Sequence, residues 1–316
     1  MRRSALAIAA AVLLLASCSQ PKLSMARRAL IYGVSLYQSG SEGSSPNLTY
    51  ADDDAASLAT TLSQKGWSEV TLRASGTGRT TSILPTKAAI LSDIAALAAA
   101  SSPDDMVFMY FSGHGTSVDG VSYLVPYGGL DLSKDSRIDE ASCITPAELS
   151  AALASLPTSK VIVVLDNCYS GGFVDAGSDL DTAPQNYGPK DEGVARATIG
   201  AAFSNFGGLL AKNAAARGVA LPIVISAAGA AELSYEDATF GHGIFTYFLL
   251  ESATGKGDAN GDGFVTTSEA YAYAVEGVRT EWNANNWDYY DWNSDTYADY
   301  MCHISGGARD LVLFEL

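Results

Sequence analysis

Two segments of the sequence each place a reactive side chain just after a predicted buried strand. Cys168 follows the apolar run Val161–Leu165 after two further residues, and His114 follows Met106–Phe111 in the same way. The carboxyl ends of parallel strands meet at one sheet edge, where catalytic groups collect. An imidazole beside a thiol favours the thiolate, which attacks a carbonyl, and the imidazole then protonates the leaving amine. The spacing therefore predicts a nucleophilic Cys/His dyad.

The structural alternative for Cys168 is a small buried apolar residue, a common role for cysteine. Its polar and glycine-rich neighbours favour an open, reactive site instead. Of the 3 histidines in the chain, His114 is the expected partner. His242 stands between two glycines at a helix start, where a structural role is expected, and no partner for His303 can be identified from the sequence.

Residues 258–269 have the spacing of a calcium-binding loop. The run DANGDGFVTTSE fits the EF-hand pattern at every position, with glycine at the sharp turn and a final glutamate that can bind through both oxygens. The alternative is a surface loop that is merely rich in Gly and Asp. The Ca²⁺ ligands expected from the pattern are Asp258, Asn260, Asp262, the backbone carbonyl of Phe264, Thr266 and Glu269.

The elements that must position these residues alternate along the chain. Short apolar runs alternate with segments whose apolar residues recur at helical spacing, which is typical of βαβ units. This pattern predicts an α/β domain built on a mostly parallel sheet that is covered on both faces. Strands are predicted at Ala29–Leu36, Val70–Arg73, Met106–Phe111, Val161–Leu165, Leu221–Ala227 and Asp310–Leu316, with a hairpin arm at Val121–Pro126. Helices are predicted at 52–65, 86–100, 145–156, 243–251 and 268–279.

The first residues have the pattern of an export signal. Residues 1–18 combine a positive start, an apolar stretch and the run LASC, which resembles a bacterial lipobox ending at Cys18. We expect lipidation of Cys18, a tether over 19–28, and export to a bacterial membrane on its periplasmic or outer side. A plain secretory signal, a short membrane anchor, or initiation at Met25 are the alternatives.

Composition narrows the class of partner. At 316 residues, 47% of them hydrophobic and 17% charged, the chain is long and apolar enough for a large core and is not a disordered sequence. The formal net charge of −16 repels nucleic acid and anionic lipid and favours cationic substrates or calcium.

Two further features concern packing. The sequence does not decide whether Cys143 and Cys302 form a disulfide. The aromatic-rich segment 281–300 is expected to pack over the core rather than form a recognition rim.

Together the runs YFSGHG (Tyr110–Gly115) and LDNCYSGG (Leu165–Gly172) resemble the paired histidine and cysteine segments of the caspase-like cysteine peptidases. The nearest resemblance is to bacterial metacaspase-like members. The segments LTYADDDA, YLVP, ISAAGAAELSYED and GHGIFTYFLLE follow in the order of the family, so the resemblance covers nearly all of the chain after the tether. It implies a three-layer sandwich with a central, mostly parallel six-stranded sheet flanked by helices. Residues 29–316 would form this domain: 29–173 large-subunit-like, 174–218 an inter-subunit loop, and 219–316 small-subunit-like.

The resemblance also implies roles for individual residues. His114 would be the general acid and base and Cys168 the nucleophile, with the backbone N–H groups of Cys168 and Gly115 forming an oxyanion hole. The pocket of the basic-specific branch would be lined by Asp54, Ser112 and Asp166. Two carboxylates match an Arg or Lys side chain and repel Asp, which predicts cleavage after Arg or Lys.

At two positions the chain departs from the metacaspase pattern. Tyr169 stands where the family usually has histidine, and Ala51 stands where a cysteine is common. The first change affects the pocket rim more than the dyad, and the second weakens the pocket assignment.

Two functions are compatible with these features. The first is a lipid-anchored, calcium-dependent cysteine endopeptidase that cleaves its own 174–218 segment at basic residues. The second is a non-catalytic calcium-binding surface lipoprotein that uses a caspase-like scaffold to bind partners. The four residues His114, Cys168, Asp54 and Asp166 favour the enzyme, because a binding module does not need all of them together.

Overall fold

The computed structural model describes residues 25–37, 47–118, 121–131, 137–167, 209–228, 234–283, 290–291, 296–297, 302–307 and 310–316. The strands are β1 (Arg27–Val34), β2 (Glu69–Ser75), β3 (Met106–Ser112), β4 (His114–Val118), β5 (Val121–Val125), β6 (Leu130–Asp131), β7 (Arg137–Ile138), β8 (Lys160–Asp166), β9 (Ile223–Ser226), β10 (Glu236–Asp237), β11 (His242–Gly243), β12 (Phe264–Thr266), β13 (Tyr290–Asp291), β14 (Thr296–Tyr297), β15 (His303–Ser305) and β16 (Val312–Glu315). The helices are α1 (Ala51–Gln64), α2 (Lys87–Ala100), α3 (Pro146–Leu153), α4 (209–217), α5 (Ile244–Glu251) and α6 (Thr267–Gly277). No helix in this part of the chain is both long and apolar enough to cross a membrane.

Six strands form the central sheet, in the order β15-β9-β8-β3-β1-β2. The pairs β1–β2, β1–β3, β3–β8 and β8–β9 are parallel, and only β15 runs antiparallel, at one edge. Every residue of β3 is buried, as the unbroken apolar run predicts for a strand covered on both faces. This confirms the predicted α/β class and the mostly parallel six-stranded sheet.

Helices cover both faces of the sheet because side chains alternate along each strand. On one face, Phe108 and Ile162 pack with apolar residues of α1, α5 and α6. On the other, Met109 and Val163 pack with apolar residues of α2, α3 and α4. The result is a three-layer arrangement with a core on each side of the sheet.

The sixth strand is not the one that the sequence indicates. The predicted C-terminal strand exists as β16, but it pairs antiparallel with β12, outside the central sheet. The sheet is completed by β15, which pairs with β9. A strand of three residues is too short to show an alternating pattern, so the sequence gives no signal for it.

The connection predicted over 174–218 is not entirely a loop. Its last part is helix α4, whose residues Leu210 and Ala214 are buried. Asn213 of the same helix donates a hydrogen bond to the Ser150 hydroxyl of α3, at 2.9 Å. Residues 168–208, which include Cys168, lie outside the described part of the chain, as does Cys18.

Among the other predictions, the helix over 145–156 begins with a complete capping box between Thr145 and Glu148. In the aromatic segment, Trp282 is buried and its ring lies 6.3 Å from that of Phe240, as packing over the core predicts. Most of the remaining segment lies outside the described residues.

Candidate active site

The two central strands end in register at the edge where the dyad is expected. In the β3–β8 pair Ser112 lies opposite Asp166. His114 stands two residues beyond that pair on one strand, and Asn167 stands one residue beyond it on the other, so both lie at the same sheet edge. Cys168 itself lies just beyond the described residues.

Tyr37, in the segment that follows β1, positions His114. The backbone N–H of His114 donates to the Tyr37 hydroxyl, and the two rings stack with centroids 4.8 Å apart. A Cβ at Gly113 would lie 2.8 Å from that hydroxyl, which explains the glycine immediately before the histidine. On the other side, the Gly113 N–H donates to the Asp166 carbonyl at 3.3 Å. These contacts tie the histidine turn to both β1 and β8.

Asp54 and Asp166 face each other across Gly243. A Cβ at Gly243 would lie 2.9 Å from Asp54 Oδ2 and 3.0 Å from Asp166 Oδ2. Their exposed fractions are only 1% and 5%. Burial raises the pKa of Asp54 to about 7, against the opposing hydrogen bond from His242, and it also raises the pKa of Asp166. Two buried carboxylates therefore converge on a space that only glycine leaves open.

The Asp166 carboxylate is held by two hydroxyl groups. Ser234 donates to Oδ1 and Thr246 donates to Oδ2, each at 2.6 Å. Thr246 lies in α5 and also bonds the Tyr110 hydroxyl, at 2.6 Å. A buried carboxylate with both oxygens bonded has a fixed orientation, so Asp166 is oriented by residues from two separate segments, one of which is itself bonded to Tyr110.

His242 is the partner of Asp54. Its Nδ1 lies 2.6 Å from Asp54 Oδ1, and the Gly243 N–H donates to Asp54 Oδ2 at 3.0 Å. The hydrogen bond to Asp54 raises the pKa of His242. The side chain of His242 is 23% exposed, so the pair connects the buried carboxylate to solvent. The sequence favours a purely structural role for this histidine and gives no sign of the pairing.

Glu236 adds a third acid to the same region. Its two carboxylate oxygens accept hydrogen bonds from the backbone N–H groups of Thr49 and Tyr50, both at 2.8 Å. These residues directly precede α1, which carries Asp54 in its first turn. Glu236 therefore fixes the start of the helix that presents Asp54.

A concavity of about 310 Å³, open to solvent, joins these groups. The structure thus brings together four of the residues that the sequence singles out, His114, Asp54, Ser112 and Asp166. The concavity is lined by Leu48, Asp54, Ser112, Gly113, His114, Asp166, Asn167, Ser234, Tyr235, Glu236 and Gly243. Gly115 lies beside His114 in β4, opposite Leu124 of β5.

The predicted calcium loop lies between α5 and α6. The Asp258 carboxylate accepts hydrogen bonds from the N–H groups of Gly261, Asp262 and Gly263 at 2.8 to 3.1 Å. Both glycines have positive φ, 73° and 86°. Asn260 Oδ1 accepts from the Asp262 N–H at 2.8 Å. The loop is thus wrapped around the Asp258 side chain.

Glu269 has a different position from that expected of a ligand. Its carboxylate accepts from the Thr266 N–H at 3.0 Å and completes the capping box of α6. Across the described ranges, no three His, Cys, Asp or Glu side chains lie together as a metal-binding group. The oxygen donors of Asp258, Asn260 and Asp262 fit calcium chemistry, and Glu269 would have to turn from its cap to join them.

Cys143 and Cys302 lie in the cores on opposite faces of the sheet. They therefore do not form a disulfide with each other in this fold. The Cys143 thiol donates to the Gly129 carbonyl at 3.3 Å, and burial raises its pKa to about 12.

Comparisons with known proteins agree with this architecture. A family model described as a caspase domain matches residues 26–277. The crystal structure of a Geobacter sulfurreducens protein is similar with a TM-score of 0.51 at 17% identity, covering 92% of this chain and 97% of that one. Caspase-1 from Spodoptera frugiperda is similar with a TM-score of 0.50 at 14% identity, covering 92% and 90%. At these identities the structural likeness concerns the fold alone. The comparison with curated protein sequences gives no match.

Proposed function

The chain belongs to the caspase-domain family, and from that premise we propose that it is a cysteine endopeptidase that cleaves peptide bonds after Arg or Lys. The observation that carries the proposal is the sheet edge described above. There Ser112 and Asp166 end their strands in register, beside two converging buried carboxylates. His114 follows Ser112 by two residues, and Cys168 follows Asp166 in sequence by the same interval.

In the proposed reaction, Cys168 is the nucleophile and His114 the general acid and base. The thiolate attacks the scissile carbonyl, and the backbone N–H groups of Cys168 and Gly115 bind the developing oxyanion. His114 then protonates the leaving amine, and a water molecule deprotonated by His114 hydrolyses the resulting thioester. The stack on Tyr37 supports this role because it limits the rotation of the imidazole.

Asp54, Ser112 and Asp166 form the proposed pocket for the basic side chain. The carboxylates of Asp54 and Asp166 carry the charge that an Arg or Lys side chain requires, and they disfavour an acidic one. The same proposal places self-cleavage after Lys190 or Arg196 in the inter-subunit segment. Arg217 is a poorer site, because it lies in α4 and donates to the Leu156 carbonyl.

The proposal is tested by hydrolysis of fluorogenic peptides that end in Arg, Lys or Asp. Wild type should cleave the Arg and Lys peptides, whereas C168A and H114A should cleave none and D166N should lose activity on the basic peptides. Self-digestion should stop in C168A. Turnover of the Asp peptide in preference to the basic ones would contradict the pocket, and no turnover at all would favour the non-catalytic scaffold.

We further propose that residues 258–269 bind Ca²⁺ through Asp258, Asn260, Asp262, the Phe264 carbonyl, Thr266 and Glu269. The oxygen-only donor set and the two positive-φ glycines support a calcium loop. Calcium should raise the thermal midpoint of the full chain and fail to do so in D258N/D262N. The control E276Q, an exposed acid that pairs with Arg279, should respond as wild type does. An equal response of the double variant would contradict the site.

Export and lipidation at Cys18 belong to the same proposal. The lipidated chain would have the membrane as a partner and would not bind nucleic acid. A fatty-acid label incorporated by wild type in a bacterial host, and not by C18A, would support it. Equal labelling of C18A would oppose it.

A further inference from the structure

The Asp54 carboxylate is already engaged within the pocket proposed for a basic side chain. One oxygen lies 2.6 Å from His242 Nδ1, and the other accepts the Gly243 N–H at 3.0 Å. The Asp166 carboxylate accepts hydrogen bonds from the Ser234 and Thr246 hydroxyl groups and has no imidazole among these partners. An imidazole of this chain therefore occupies one of the two carboxylates that an incoming cation would use.

Proton sharing makes the charge of this pair variable. While it holds one proton between Asp54 and His242, the pair is electrically neutral, whichever atom carries the proton. When the proton leaves, the pair carries one negative charge. Burial of Asp54 and the short contact both favour retention of the proton into the neutral pH range.

Several other charged or titratable groups surround the pair. Their own titration has to be separated from that of His242 in any pH study. They are Asp53 on α1, His114 on β4, Asp166 on β8, Glu236 and Asp237 on β10, of which Asp237 lies opposite His242, and Tyr247 on α5.

We propose that His242 is a specificity-determining residue that sets the charge of the pocket, so that a guanidinium or ammonium side chain binds with release of the proton shared by His242 and Asp54. The inference rests on the proposed function of this pocket as a site for basic side chains. A bound cation near Asp54 favours the negative form of the pair, and the negative form favours the cation, because binding and proton release are linked. Affinity for the cation must then rise with pH across the range in which the free pair loses its proton.

Agmatine, a guanidinium compound without a peptide bond, tests the inference without requiring catalysis. Its dissociation constant would be measured by calorimetry with the full chain at several pH values from about 6 to 8.5. Release of one proton allows this constant to change by up to about tenfold for each pH unit. We expect binding about tenfold tighter at the higher pH and a proton released on binding, seen as a dependence of the heat on buffer ionisation. H242Q, which keeps an amide donor near Asp54 but cannot titrate, should bind agmatine with little pH dependence.

H114A is the matched control, because it removes the other imidazole that lines the same concavity. It should retain the pH dependence of wild type. Loss of the pH dependence in H114A and its retention in H242Q would overturn the inference, as would binding of agmatine that is equal at all pH values or absent.

A measurement on wild type guards against misfolding of H242Q. The chain has 3 histidines, so the His242 resonance can be assigned and titrated by NMR. Saturating agmatine should lower the pKa of His242, and an unchanged pKa would overturn the inference. The proposed function can be refuted independently of this inference. Proton-linked agmatine binding without peptide hydrolysis would refute the peptidase but leave the role of His242 intact.

Discussion

Substitution of Gly243 by alanine tests whether the two buried carboxylates form a pocket for substrate. The new Cβ would lie 2.9 Å from Asp54 Oδ2 and 3.0 Å from Asp166 Oδ2, both closer than an ordinary van der Waals contact. The backbone of Gly243 has φ −58°, so alanine meets no conformational barrier there. The perturbation is therefore steric and acts on the two carboxylates themselves.

The expected magnitude follows from these contacts. Overpacking of this kind costs about 1–3 kcal/mol of folding free energy. Displaced carboxylates also lose charge-assisted hydrogen bonds to a bound cation, worth about 1.5–3 kcal/mol each. Loss of one such bond lowers kcat/KM for an Arg peptide by roughly 10-fold to 100-fold, since about 1.4 kcal/mol is a factor of ten.

The assay compares G243A with G241A. Gly241 has φ +66° and nothing within 4 Å of its would-be Cβ, so alanine there strains the backbone without touching either carboxylate. Both variants should unfold at lower urea concentration than wild type, but only G243A should lose activity on Arg and Lys peptides. Equal losses of activity in the two variants, or full activity in G243A, would refute the assignment of Asp54 and Asp166 to the pocket.

Three further predictions concern the groups around this site and the far end of the sheet. Y37F removes the hydroxyl that accepts the His114 N–H but keeps the ring, so kcat should fall by about tenfold with KM unchanged in steady-state kinetics; a change in KM alone would contradict a positioning role. Asp54 and His242 both have pKa values raised above their ordinary 3.8 and 6.5, so the folded state binds protons more tightly than the unfolded state and stability falls as pH rises. The Asp54 contribution is lost between about pH 4 and pH 7, and the His242 contribution is lost above about pH 6.5. The thermal midpoint should therefore fall as pH rises from about 4 through about 7, less so in D54N, and an equal fall in both would count against the pair. R27M should lower the free energy of unfolding by about 2–3 kcal/mol in urea titrations, because Arg27 donates to two carbonyls of the C-terminal segment and stacks on a tryptophan ring; an unchanged midpoint would show that this contact is dispensable.

The inner strands of the central sheet were predictable because they are short, nearly unbroken apolar runs. Met106–Ser112 and Lys160–Asp166 are nearly continuous in Val, Ile, Phe, Met and Leu, and polar residues mark where each ends. The capping box at Thr145 likewise follows from local chemistry. Such features depend on neighbours in sequence, which a single chain displays directly.

The partners within the site could not be predicted in this way. His242 and Asp54 are 188 positions apart in the sequence, and Glu236 and Tyr50 are 186 positions apart. Only the folded chain brings the two members of each pair into contact. Three acids at the start of α1 are equally well explained by the helix dipole, so the local pattern does not show that Asp54 is buried, and only the family resemblance assigns it to the pocket. The contact of Tyr37 with His114 could not be predicted either, since one aromatic residue after a strand usually indicates only packing.

The most direct test of the account is covalent labelling of the full chain with an acyloxymethyl ketone that carries arginine beside its reactive carbon. The ketone alkylates a thiolate only where the arginine side chain is bound and the thiol is activated. We predict a single adduct on Cys168, found by peptide mapping, that is strongly reduced in H114A and D166N and absent with the aspartate analogue. Cys143 should stay unlabelled, because it is buried and its pKa is raised to about 12. Labelling of Cys143 or Cys302 in place of Cys168, or equal labelling by the aspartate reagent, would contradict the account.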